Sequence, residues 1–264
     1  MDIAFSPCPN DTFIFHAMLH NKVDIEPFRF HAHMEDVESL NKAAFSGNFP
    51  VTKLSVYAYL HLKDKGYELL DAGAAIGYGC GPLLVAREKH ISIEDATIAV
   101  PGRYTTACLL LQLWQPLCTR IEIVPFHQIL PAVAEGKYDA GLIIHEGRFV
   151  YPEYGCVKII DLGEWWETET GLPIPLGCIG IRKDPAMIVH KAAMESILRN
   201  SVNYALGDPE ASRAFVRTHA RELDEQVIED HIRLYVNEFT QSLGEAGSQA
   251  IATLEEMARC RKVL

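Results

Sequence analysis

Three short stretches carry side chains that can do chemistry. In "AGLIIHEGRF" (140–149) an apolar run, Leu142-Ile143-Ile144, stops at His145, and Glu146, Gly147 and Arg148 follow at once. An imidazole gains or loses its proton near neutrality, so a histidine mounted at the end of a buried strand can serve as a general base. The second stretch is "KLS" (Lys53, Leu54, Ser55), where a strand passes into a helix. The third is "GRYTTA", in which Thr105, Thr106 and Ala107 open an apolar helix. The unpaired N–H groups of a helix start, with hydroxyls beside them, suit an anion or a hydroxyl of a small ligand. Each stretch also has a plainer account. Ser55, Thr105 and Thr106 can be helix caps, and His145 can be a strand end reaching water. For His145 the residues alone slightly favour the plainer account.

Other chemistries find little support. "GYGCG" (Gly77 to Gly81) is spaced G-x-G-x-G and runs into a strand-like "PLLVA", whereas a dinucleotide site needs glycines that open a helix. It reads as a flexible link near a cleft. His31 and His33 share a strand face with no cysteine or carboxylate set at metal spacing. No zinc-protease, nucleophile-elbow or phosphate-loop motif occurs. No metal and no organic cofactor are therefore expected. The 24 basic and 35 acidic residues give a net charge of −11, which disfavours nucleic acid as a partner. The seven cysteines are scattered and never spaced C-x-x-C, as in a reduced compartment. No signal-like N-terminus and no apolar run long enough to span a bilayer are present. A cytoplasmic protein with a small-molecule substrate and no membrane partner is expected; the oligomeric state is left open.

The elements that must hold these residues alternate. Strands are expected at "DIAFS", "FPVTKL", "GPLLVARE", "ATIAV", "RIEIVPF", "AGLIIHE", "CVKIIDLG" and "IPLGCIGIRK", with helices between them and a helical last quarter. Asn10 or Asp11 should cap the first helix, and Ser55 the one after "VTKL". The alternation predicts an α/β fold with mostly parallel sheets. A polar stretch at 86–96 and a second at 163–175 suggest that the chain crosses between two lobes there. The first lobe would comprise residues 1–87 and 174–264, and an inserted lobe residues 88–173. The ligand site would lie in the central cleft, at strand ends.

Taken together, "SPCPNDTFIFHA", "VTKLS", "VPGRYTTA", "AGLIIHEGRFVYPEYG", "IIDLGEWWE" and "TGLPIPLGCI" resemble the 1,4-dihydroxy-6-naphthoate synthase family of menaquinone biosynthesis by the futalosine route. The resemblance runs in order over nearly the whole chain. It implies a two-lobed fold like type II periplasmic binding proteins. It also implies a lyase that cleaves cyclic dehypoxanthinyl futalosine to 1,4-dihydroxy-6-naphthoate and a carbohydrate fragment. His145 matches that family's proton-abstracting histidine. Lys53, Leu54 and Ser55, and then Thr106 and Ala107, match its substrate contacts. Two alternatives stand beside this reading. One is chorismate dehydratase, a sister enzyme of the same fold. The other is a cytoplasmic module that clamps an aromatic carboxylate without turning it over.

Overall fold

The computed structural model describes residues 1–221 and 224–264. Its strands are β1 (Asp2–Phe5), β2 (His31–Met34), β3 (Val51–Ser55), β4 (Tyr67–Leu69), β5 (Ala75–Gly77), β6 (Leu83–Ala86), β7 (Ile98–Val100), β8 (Ile121–Ile123), β9 (Ala140–Ile143), β10 (Val157–Asp161) and β11 (Ile174–Arg182). They form two mixed sheets. The first runs β2-β1-β3-β11-β4, with β5 also on β11, and the second runs β10-β6-β9-β7-β8. Parallel pairs (β1 with β2 and β3, β7 with β8 and β9) form one part of each sheet. The antiparallel pairs are made by β11, β6 and β10, next to the crossings between the lobes. Among the described residues no helix is long and apolar enough to cross a membrane.

Sheet membership moves the first crossing. β6 already pairs with β9 and β10 of the second sheet, so the chain crosses between Gly77 and Leu83, upstream of the expected 86–96. All four residues of β6 are buried, as an inner strand requires, whereas Arg87 to His90 are exposed and merely form a loop. The glycine-rich "GYGCG" is thus the crossing itself. The return lies between Asp161 and Ile174, within reach of the expected 163–175.

The crossings touch backbone to backbone. A Cβ on Gly81 would lie 2.2 Å from the Gly163 nitrogen, and one on Gly163 would lie 2.7 Å from the Gly81 nitrogen. Only glycine permits that approach. Arg148 spans the same point, donating to the Gly81 carbonyl at 2.7 Å and to Asp161 at 2.6 Å. Asp161 also caps helix Leu162–Thr170 through Gly163 and Glu164.

β3 is the informative strand. All five of its residues are buried, as suits a strand covered on both faces, yet three of them are Thr52, Lys53 and Ser55. Buried polar groups demand partners, and the partners of Lys53 and Ser55 lie at the cleft.

Gly81→Ala is expected to lower the free energy of unfolding by about 1–3 kcal/mol, the usual cost of forcing atoms into filled space. Gly207→Ala, with nothing within 4 Å of its Cβ, is the control and should be neutral or mildly stabilising in the same denaturant titration.

Candidate active site

Between the sheets lies a cavity of about 80 Å³. Lys53, Leu54 and Ser55 line it from the first lobe, and Thr105, Thr106, Ala107 and His145 from the second. All seven residues singled out in the sequence therefore meet at one place. Ser6, Asn10, Asp11, Cys80, Leu176 and Tyr235 complete much of the wall.

The first lobe's wall is built around a buried ion pair. Lys53 Nζ donates to Asp11 Oδ1 at 2.6 Å, with both side chains almost fully shielded. Asp11 accepts further from the Ser6 hydroxyl at 2.7 Å, the Ser6 amide at 3.2 Å and Asn10 Nδ2 at 3.0 Å. Asn10 and Asp11 were expected to cap the first helix. Instead helix Pro9–Leu19 starts at Pro9, whose missing N–H needs no cap. Asn10 and Asp11 fall inside the first turn and face the cleft.

Ser55 occupies the N-cap position of helix Val56–Leu62, but its side chain makes no cap bond. Its hydroxyl accepts from Asn41 Nδ2 at 3.0 Å, and its amide donates to Asn41 Oδ1 at 2.9 Å. The bond to that helix start comes from the other lobe. Thr106 Oγ1 accepts from the Tyr57 amide at 3.2 Å and donates to the Leu176 carbonyl at 2.8 Å. Thr105 is an ordinary cap, accepting from the Cys108 amide at 3.2 Å. Glu38 makes a second bond across the seam, accepting from the Arg103 and Tyr104 amides at 3.0 and 3.1 Å. Gly102 makes room for it, since a Cβ there would lie 2.4 Å from that carboxylate. Burial raises the Glu38 carboxyl's pKa.

His145 is not on a strand. β9 ends at Ile143, and His145 sits in the following turn with φ of 55°, before helix Gly147–Val150. The expected strand fails because Gly147 and Arg148 close a tight helical turn onto the crossing. A left-handed φ is costly for a residue with a Cβ, so the imidazole is held by what packs on it. The Phe126 ring meets it edge-on at 5.3 Å, and His231 stacks at 5.9 Å with an interplanar angle of 18°. Burial lowers the His145 pKa below its ordinary value; Glu146, Asp11 and Asp36 pull it back up, and Lys53 pushes it down. The ring is therefore neutral at pH 7. A strand at 145–146 would have sent Glu146 to the opposite face; in the turn its charge acts on His145.

The one thiol among the described residues lining the cavity is held protonated. Cys80 lines the cavity with its pKa pushed up to about 12 by burial, and only a thiolate attacks. Sequence reading missed Asp11, Asn41 and His231 as site residues. Asn41 and His231 lie inside helical patterns that resemble any amphipathic face, and Asp11 read as a cap.

Thr106→Val should lower the melting temperature without ligand, because it strands the buried Tyr57 amide at a cost of about 1–3 kcal/mol. Thr106→Ser should restore most of the loss. Equal melting of wild type and Thr106→Val would show that the bond across the seam carries no weight.

The chain matches the family model described as "Menaquinone biosynthesis" over residues 1–260. It is 48% identical to the 1,4-dihydroxy-6-naphtoate synthase of Thermus thermophilus, over 98% of this chain and 94% of that one. With the Streptomyces coelicolor enzyme of the same name it shares 45% identity, over 96% of this chain and 91% of that one. A crystal structure of an Archaeoglobus fulgidus protein superposes with a TM-score of 0.93 at 37% identity, covering 100% and 98% of the two chains. The alkanesulfonate-binding protein of Xanthomonas axonopodis pv. citri superposes at 0.74 with 14% identity, over 100% and 93%, which shows a shared fold alone. A two-lobed, periplasmic-binding-protein-like fold thus carries an enzyme, and the chain belongs to the menaquinone biosynthesis family.

Proposed function

We propose that this chain cleaves cyclic dehypoxanthinyl futalosine to 1,4-dihydroxy-6-naphthoate and a carbohydrate fragment, with His145 as the proton-abstracting base. One observation carries the reading. Among the described residues lining the cavity His145 is the only imidazole, and it faces the Lys53–Ser55 and Thr105–Ala107 stretches of the two lobes. The names of the relatives agree with that chemistry.

The step asked of His145 is one proton transfer. Removing a proton beside an activated carbonyl leaves an electron pair that can break the bond to the carbohydrate fragment. The ring system gains aromaticity, so the path runs downhill once begun. A neutral imidazole is the form that accepts the proton. The imidazolium produced meets Glu146 and Asp11, whose charges favour it. Two carboxylates already in place where positive charge develops stabilise the transition state without reorganising. Closure of the lobes through Glu38 and Thr106 excludes water from this transfer. The substrate is a small molecule, and a cytoplasmic site of action is part of the proposal.

His145→Asn keeps the size of the side chain but cannot accept the proton near neutrality. It should retain substrate binding and lose about 10²–10⁴-fold in kcat, the usual contribution of a positioned general base. Products are read by mass spectrometry from cyclic dehypoxanthinyl futalosine. Near-normal turnover by His145→Asn would remove the assignment. Turnover of chorismate, or tight binding with the ligand returned unchanged, would replace the proposed reaction.

The pH profile supplies a second test. Burial lowers the His145 pKa, so the base stays neutral, and kcat/KM stays full, to a pH below its ordinary 6.5. Activity is lost as pH falls through that lowered value. An acid limb lying above 6.5 would contradict the assignment.

A further inference from the structure

We infer that His231, outside the cavity lining, is a positioning residue that fixes the imidazole of His145 and walls it from water; this rests on His145 being the base. His231 lies on helix Glu225–Tyr235, contributed by the last quarter of the chain, and is fully buried. A buried histidine among aliphatic neighbours would need no particular orientation, but this one meets two rings and a hydrogen-bond partner at its edge. Its ring stacks on His145 at 5.9 Å and packs against Tyr235 at 4.7 Å. Its Nε2 lies 3.0 Å from Asn10 Oδ1. Asn10 donates its Nδ2 to Asp11, so its oxygen is the end that faces the imidazole and must accept. That makes His231 the Nε2–H tautomer and leaves Nδ1 a bare lone pair, buried and without a partner among the described residues.

A second proton on His231 would place an N–H with no acceptor beside Lys53 and His145. Burial, the His145 charge and Lys53 all hold the His231 pKa well below 6.5. His231 therefore stays neutral while His145 cycles, and acts as a flat wall rather than as a second acid. The groups facing His145 are then Glu146 from its own turn, Asp11 and Lys53 from the first lobe, Asp36 at the start of helix Val37–Phe45, and the uncharged rings of Phe126 and His231. Of these, the two rings lie against the imidazole itself. With a left-handed backbone at residue 145, no secondary structure holds it.

The test compares His231→Phe, which keeps a flat ring and loses the Asn10 bond, with His231→Gln, which keeps a donor for Asn10 and loses the ring. His231→Ala and His145→Asn complete the set. The readouts are the NMR titration midpoint of the His145 ring in the substrate-free protein, and kcat and KM on cyclic dehypoxanthinyl futalosine. In His231→Gln and His231→Ala the midpoint should rise and kcat fall by about tenfold or more, with KM little changed, as a misaimed base predicts. In His231→Phe the midpoint should stay low and kcat exceed that of His231→Gln. If His231→Ala fails to fold, the Phe and Gln pair decides alone. An unmoved midpoint in His231→Gln, or equal midpoints in Phe and Gln, overturns the inference. An active His145→Asn overturns instead the base on which it rests.

Discussion

A buried ammonium cannot be left unpaired, and the site is arranged around that constraint. Lys53 sits in a strand covered on both faces, so its charge must be met inside the protein, and Asp11 meets it at 2.6 Å. Removing either partner from such a pair is strongly destabilising. Asp11 in turn fixes the amide of Asn10, and Asn10 fixes the tautomer of His231, whose ring lies on His145. A chain of contacts thus runs from the first lobe's strand to the proposed base on the second. With Pro9 opening the first helix, Asp11 is left to pair with Lys53, and Asn10 to bond Asp11 and His231.

The same economy governs the seam. A helix start needs its N–H groups satisfied, and helix Val56–Leu62 has its second one met by Thr106 from the opposite lobe. The turn at 102–104 has two amides met by Glu38 from the first lobe. Each lobe therefore completes the other's backbone hydrogen bonding. The two crossings meet at the glycine contact of residues 81 and 163, pinned by Arg148, three positions after His145. The turn that carries the proposed base is thereby tied to the crossing between the lobes.

Much of this was legible in the chain, and the failures have physical reasons. Periodicity located most of the strands and the helix capped at Thr105, because those patterns are local. The stretch at 140–146 misled, since an apolar run says nothing about where the strand stops, and the stop was set by packing of Gly147 and Arg148 on a distant crossing. The polar 86–96 misled in the opposite way: it leads into a loop within one lobe, while the real crossing is the glycine-rich link before β6. His231 was invisible because its partner Asn10 lies 221 residues away in sequence. The seven residues predicted for the site do share one cavity, yet the sequence could not say that Thr106 joins the lobes or that Ser55 leaves capping to it.

Ligand-binding proteins share this fold, so the fold alone does not make an enzyme. What this chain adds is an imidazole whose pKa burial lowers, set in a turn beside two rings, with the carboxylates of Glu146 and Asp11 near it. The most direct measurement is a crystal structure of the His145→Asn protein soaked with cyclic dehypoxanthinyl futalosine. The account predicts intact substrate in the cavity between Lys53–Ser55 and Thr105–Ala107, with the hydrogen to be removed facing residue 145 at hydrogen-bonding range. Cleaved product in that crystal, or substrate bound with its reacting carbon turned away from residue 145, would contradict it.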